Sequence, residues 1–265
     1  MLRYDRGVLL VVPGIRFIYL IGMRIDSMST VQDLLFRFIL VGAILLAQGS
    51  VLAETIAVIG TGNVAGALGP EFAQQGHTII YGSRDPGRDE VLELVARTGG
   101  NASAALQIEA VENADIVVIA VPGGVAEEVV RGLGDLSEKI IIDPTNRVAR
   151  ADDGYMDHTV ESSNGELIQA LAPGAYVVKA FNTLNYRTMI DPGGPVTIPL
   201  AGNDSDAKTT VAELVAGMGL QPMDVGPIRS AHVLEGMLTI WINARGAGAP
   251  YDYHFRPLEE SPEAF

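Results

Sequence analysis

Residues 54–84 read ETIAVIGTGNVAGALGPEFAQQGHTIIYGSR, and no other stretch constrains the fold as tightly. A β-branched run, Ile56–Ile59, meets a turn at Gly60 and Gly62. A helical pattern follows over Asn63–Gln75, Gly76 stops it, and a second β-branched run covers Thr78–Tyr81. A strand, a glycine turn, a helix and a second strand within about 30 residues form a βαβ unit, whose strands must lie parallel. The turn spells G-x-G-x-x-A, with Ala65 in the third position. Gly60 lets the backbone turn sharply and Gly62 lets it approach a ligand. Thr61 lies between them, and the amides of Asn63 and Val64 open the helix, where an anionic pyrophosphate is favoured. The unit therefore predicts a dinucleotide site.

The end of the second strand predicts which dinucleotide. Roughly 20 residues past the turn, an NAD site carries Asp or Glu on the ribose. This chain has Ser83 and Arg84 there, with Arg88 one turn further on. A guanidinium donates two parallel hydrogen bonds to a phosphate and a hydroxyl adds a third. Ser83, Arg84, Arg88 and Thr61 are thus candidates to hold the 2′-phosphate of NADP(H).

Strand and helix patterns continue to alternate up to about Arg245. Ile116–Val121 and Ile140–Ile142 are apolar runs without alternation, as parallel strands buried on both faces require. Helical patterns cover Asp89–Arg97, Ala104–Asn113 and Val125–Leu133. Further strands are expected at Tyr176–Phe181, Thr197–Ala201 and Pro222–Val225, with helices at Ser205–Met218 and Ser230–Ala244. The fold class that follows is α/β, a doubly wound, mainly parallel sheet of the Rossmann type with extra C-terminal strands and helices. Asp143–Asn164 reads as a long polar loop.

The N-terminal residues 1–53 are an extension to this domain. Within 28–53, Arg37 precedes an apolar run, Phe38–Ala47, and Val51-Leu52-Ala53 offers small residues for cleavage, the three-part pattern of an export signal. The expectation is an exported protein, periplasmic or secreted, that begins near Glu54. An uncleaved membrane anchor and a cytoplasmic protein with an apolar arm are the alternatives. Residues 54–245 form the NADP-binding domain and 246–265 a tail. The net charge of −14 argues against nucleic acid as a partner, and the absence of cysteine excludes disulfides and thiolate chemistry.

The nicotinamide end is read from the later strands. Ala120-Val121-Pro122 places Val121 and Pro122 under the ring, where proline gives a rigid face without an N–H. Asp143-Pro144-Thr145-Asn146 and Lys179-Ala180-Phe181-Asn182 end the next two strands. Asn182 is a candidate to hold a nicotinamide amide or a substrate carbonyl; Asp143 and Lys179 read equally as a cap and an ion-pair partner. Of the histidines, only His232 is placed for a general-acid role. No residue is assigned as catalytic and no spacing suggests a metal, since hydride transfer needs two rings held face to face rather than a nucleophile.

IAVIGTGNVAGAL, YGSRDP, VKAFNTL, LAGNDSDAK and LQPMDVGPIRSAHVLE occur in this order. Together they resemble the NADP-dependent reductases of the deazaflavin coenzyme F420, and the related NADPH-binding domain of the six-transmembrane ferric reductases. The resemblance covers about Glu54–Arg245. It implies hydride transfer between NADP(H) and a small-molecule acceptor, deazaflavin first and ordinary flavin second, often in a homodimer. It also implies that Thr61, Ser83, Arg84 and Arg88 bind the 2′-phosphate, and that Val121, Pro122 and Asn182 lie where nicotinamide and acceptor meet. The acid-rich Arg150–Val160 loop departs from the family's pattern, because a polyglutamate tail prefers basic surface. Here that surface reduces to Lys179, Arg187 and Arg229. Two other readings stand beside this one: a non-catalytic NADP(H)-binding module, and an imine reductase of the pyrroline-carboxylate reductase kind.

Overall fold

The apolar runs become parallel strands because each is flanked by helices that cover both of its faces. In the computed structural model, residues 53–157, 161–249 and 254–255 are described. Ala53–Phe265 forms one compact unit. The signal-like segment up to Leu52, His158 and most of the tail lie outside the described residues.

The chain runs β1 (Thr55–Ile59), α1 (Asn63–Gln74), β2 (Thr78–Ser83), α2 (Asp89–Thr98), β3 (Ala102–Leu106), α3 (Gln107–Glu112), β4 (Ile116–Ile119), α4 (Ala126–Arg131) and β5 (Ile140–Asp143). A small hairpin, β6 (Ala149–Arg150) and β7 (Met156–Asp157), precedes α5 (Asn164–Leu171), β8 (Tyr176–Lys179), α6 (Tyr186–Ile190), β9 (Thr197–Gly202), α7 (Ser205–Gly217), β10 (Gln221–Asp224) and α8 (Ala231–Gly246). The main sheet has eight strands in the order β10-β9-β8-β5-β4-β1-β2-β3. Among the described residues, β8–β9 is the one antiparallel pairing between its strands. The order reverses between β1 and β4, the point at which an open α/β sheet leaves a crevice at the strands' carboxyl ends.

Successive residues of the central strands feed two separate cores. Ile56, Val58, Val118 and Val178 pack with Leu68, Phe72 and Val211 on one side. Ala57, Ile59, Val117 and Val177 pack with Val111, Val130 and Ile168 on the other. Both faces being apolar explains why these strands show no polar alternation.

Several expectations need correction. The helix expected over Ala104–Asn113 begins only at Gln107, because Ala102–Leu106 pairs in register with Ile79–Ser83 as the edge strand β3. Its alanines carry helix propensity, and tertiary pairing overrides it. The strand expected to reach Val121 stops at Ile119, where the Ala120 amide bonds back to the Val118 carbonyl. The Asp143–Asn164 loop contains the β6–β7 hairpin, and two helices, α5 and α6, went unread. For α5 the signal was present: Ser163 and Glu166 form a capping box, Ser163 Oγ accepting from the Glu166 amide. In the tail, Phe255 bridges to Thr197.

Candidate functional site

The first half of the crevice is built by the glycine turn. Gly60 has φ of +111°, and a Cβ there would overlap the backbone carbonyl of Ala120 at the end of β4. Glycine is therefore required by the backbone as well as by any ligand. At Gly62 a Cβ would meet no atom within 4 Å, so the second glycine opens on space. The N-cap of α1 is Gly62, which has no side chain to cap it, and no acidic residue stands in its first turn. By contrast α7 is capped by Asp204, whose side chain accepts from the Ala207 amide. The opening amides of α1, at Asn63 and Val64, are left for an anion.

The end of β2 lies beside this turn. Arg84 and Arg88 are exposed. Arg88 Nη2 reaches Thr61 Oγ1 at 3.4 Å, so two of the residues expected to share a phosphate meet across the turn. Ser83 is buried, and its hydroxyl donates to the Asp85 carbonyl at 3.0 Å while accepting from the Asp85 amide at 3.2 Å. Its proton would have to leave Asp85 to reach a phosphate.

The second half is built by β4, β5 and β8. Val121 is half-buried and Pro122 exposed at the rim. A Cβ on Gly123 would overlap the Asn146 carbonyl, so the segments after β4 and β5 are in close contact. After β8 the chain passes through Phe181 at φ of +64°, a left-handed conformation rare for a bulky residue. The Phe181 ring is buried edge-on against Phe72. This backbone twist delivers Asn182 to the crevice floor. Asn182 Nδ2 donates to Asn146 Oδ1 at 3.0 Å and to the Leu234 carbonyl at 2.9 Å. A carbonyl only accepts, so the amide nitrogen must face Leu234. Asn182 Oδ1 is then buried with no hydrogen-bond partner among the described residues. A buried acceptor left unpaired is costly, and a donor from a ligand would satisfy it.

Asp143 and Lys179 do not face the crevice. Both are fully buried, and Lys179 Nζ donates to Asp143 Oδ2 at 2.7 Å and to Glu235 Oε1 at 2.6 Å. Lys179 therefore offers no basic surface to an acceptor. Glu235 was not foreseen, and neither was Asn164, whose Nδ2 donates to Thr145 Oγ1 at 2.8 Å and to the Gly123 carbonyl at 3.0 Å. Nothing local marks them, because their partners lie far away in the chain. His232 is half-buried in the first turn of α8. His77 lies at the amino end of β2, remote from the crevice. A cleft of about 380 Å³ lined by Leu136, Ser137, Leu171 and Pro173 also sits at the strands' amino ends, away from these residues.

This arrangement fits a dinucleotide: an uncapped helix start, exposed guanidinium groups on one side and an unpaired amide oxygen on the other. Comparison with known proteins agrees. Residues 55–147 match the family described as NADP oxidoreductase, coenzyme F420-dependent. A solved structure from Arthrobacter sp. FB24, assigned as an F420-dependent NADP reductase, is 30% identical with a TM-score of 0.71, covering 78% of this chain and 100% of that one. The F420-dependent NADP reductase of Methanothermobacter thermautotrophicus is 27% identical over 208 residues, 73% of this chain and 90% of that protein. Metalloreductase STEAP3 of Rattus norvegicus is 28% identical over 187 residues, 70% of this chain, and the match spans 36% of that longer protein.

Proposed function

Because this chain belongs to the family of coenzyme F420-dependent NADP oxidoreductases, we propose that it passes hydride from NADPH to a flavin-like acceptor, deazaflavin F420 before ordinary flavin. That it is an NADP-dependent oxidoreductase follows from the family; the acceptor and the residue roles are the proposal. The observation that carries the reading is the buried, unpaired Oδ1 of Asn182 at the carboxyl end of the sheet. An acceptor-only oxygen there suits the NH2 of a nicotinamide carboxamide and is wrong for a substrate carbonyl.

When bound, the cofactor supplies the hydride. The protein's part is to hold two rings in contact and keep water out. Gly60 and Gly62 bring backbone close to the pyrophosphate, with the Asn63 and Val64 amides aimed at it. Arg84 and Arg88, with Thr61 and Ser83 beside them, take the 2′-phosphate. Val121 and Pro122 give the nicotinamide ring an apolar face, and Asn182 fixes its rotation through the carboxamide.

The test follows NADPH absorbance with the purified chain and three acceptors: deazaflavin F420, riboflavin phosphate and a ferric chelate. Oxidation fastest with F420 is expected, with NADPH preferred over NADH by at least roughly tenfold, the worth of one charge-assisted contact. Tight NADPH binding without oxidation by any of the three would overturn the reading in favour of a binding module.

A further inference from the structure

Beneath the Asn146–Asn182 pair lies a cluster of charges that the binding roles above leave unused. Lys179 Nζ donates to Asp143 Oδ2 at 2.7 Å, to Glu235 Oε1 at 2.6 Å and to the Thr145 carbonyl at 2.5 Å. Three acceptors use all three N–H bonds of an ammonium. Each carboxylate, in turn, meets donors. Glu235 Oε2 accepts from the Arg147 amide at 2.8 Å and the Asn164 amide at 3.1 Å, and Oε1 also accepts from the Gly165 amide at 3.2 Å. Asp143 Oδ1 accepts from the Thr145 amide at 2.9 Å and from Thr145 Oγ1 at 2.7 Å. The Thr145 hydroxyl is itself an acceptor for Asn164, so its proton points to Asp143.

This pattern describes one ammonium and two carboxylates, a formal side-chain charge of minus one, with the Glu235 carboxylate set against the opening amides of α5. The three side chains are 0% exposed, so water screens that charge poorly. The cluster is also close to Asn182 by two routes. Thr145 precedes Asn146, which bonds Asn182, and Leu234, whose carbonyl holds Asn182, precedes Glu235.

We propose that this buried excess charge biases the bound nicotinamide toward its oxidised form, making bound NADPH a stronger hydride donor. The inference rests on the reading of Asn182 as the carboxamide contact. In the transfer, a C–H bond of the reduced ring breaks, its electron pair and proton leave together, and a bond to hydrogen forms on the flavin-like acceptor. The donor ring becomes cationic. A fixed negative charge beneath it stabilises that state and leaves the neutral reduced ring unaffected. Glu235 touches neither ring. It is a positioning residue that also supplies the surplus charge, since Asp143 alone would balance Lys179.

The test compares dissociation constants for NADP+ and NADPH in the unaltered chain, Glu235→Gln and Glu235→Asp. In Glu235→Gln the ratio of the NADP+ constant to the NADPH constant rises on the order of tenfold, the scale of a unit charge acting across a partly polar interior. Glu235→Asp keeps the charge on a shorter stem; both affinities fall while the ratio stays within about twofold of the original. Equal weakening of both forms by Glu235→Gln would make its role structural and overturn the proposal. If Glu235→Gln does not fold, Asp143→Asn removes the same charge from the other side of Lys179 and must shift the ratio the same way. Failure of the unaltered chain to bind either form would refute the cofactor assignment; binding of both with a ratio that Glu235→Gln leaves unchanged would refute only the charge effect.

Discussion

Arg84 and Arg88 stand exposed on the segment that directly follows the first βαβ unit, whereas Asn182 is buried and held by partners 36 and 52 residues away. The adenosine end is thus local, assembled as β1, α1 and β2 fold together. The nicotinamide end exists only after β5, β8, α5 and α8 have docked on one another. Local construction lets side chains stay solvated until a ligand arrives, at little cost to the fold. Remote construction needs a buried polar network, and such a network is stable only if every member is satisfied. The two ends should therefore fail differently: substitutions at one cost affinity, and at the other they cost the fold.

The largest effect is expected at Lys179. Lys179→Met removes the ammonium and leaves Asp143 and Glu235 buried without their shared cation, a loss of about 3–5 kcal/mol for a broken buried pair. For a domain of this size that lowers Tm by about 10 °C. Thermal unfolding followed by circular dichroism measures it. A melt within a degree or two of the unaltered chain would mean that the cluster does not support the nicotinamide end.

Arg84→Ala addresses the other end. Losing charge-assisted contacts to a phosphate is worth about 1.5–3 kcal/mol, or roughly ten- to a hundredfold in the dissociation constant for NADPH. NADH, which has no 2′-phosphate, should bind nearly as before, and Tm should hardly move. Parallel titrations with the two cofactors decide it. Equal losses for both would remove the 2′-phosphate from Arg84, and with it the contrast between the two ends.

The same contrast explains what the sequence disclosed. The glycine turn and the Gly82-Ser83-Arg84 ending are contiguous, so their neighbourhood could be read from spacing alone, and Arg88 lies 3.4 Å from Thr61 across the turn. Asn182 was legible as a residue at a strand end, but the direction of its amide was not, because Leu234 decides it from a distant helix. Asp143 and Lys179 were readable only as ambiguous polar residues. Glu235 completes their cluster from the far side of the chain, and a glutamate in the first turns of an amphipathic helix looks like any solvated one. The capping box at Ser163 was available and would have placed α5 directly after the long loop. The edge strand β3 was not, since Ala-Ser-Ala-Ala carries no strand signature of its own.

The smallest effect tests whether the opposite edge of the sheet is independent of both ends. His77 is buried before β2, where its Nδ1 accepts from the Glu54 amide at 3.1 Å and Nε2 has no partner among the described residues. Burial lowers its pKa below the ordinary 6.5. The sign follows from linkage: above about pH 6.5 the ring is neutral folded or unfolded, and stability does not depend on it. As pH falls below that value, the unfolded chain takes up the proton first, and the fold loses stability until pH reaches the depressed native value. Glu54, beside it, acts in the opposite sense, in a window that opens at its ordinary 4.5 and extends upward. Burial first, and then the charge and hydrogen bond of Asp115, raise its carboxyl pKa, so its contribution is present in acid and lost as pH rises through that value. Measured between pH 7 and pH 5.5, His77→Asn should flatten the decline in Tm, because the variant has no imidazole to protonate on unfolding. The side-chain oxygen of Asn can accept from the Glu54 amide as Nδ1 does, which isolates the ionisation. NADPH affinity at pH 7 should be unchanged by the substitution. A shift in affinity would couple the strands' amino edge to the crevice; identical pH slopes in the two proteins would show that His77 does not set the acid limb.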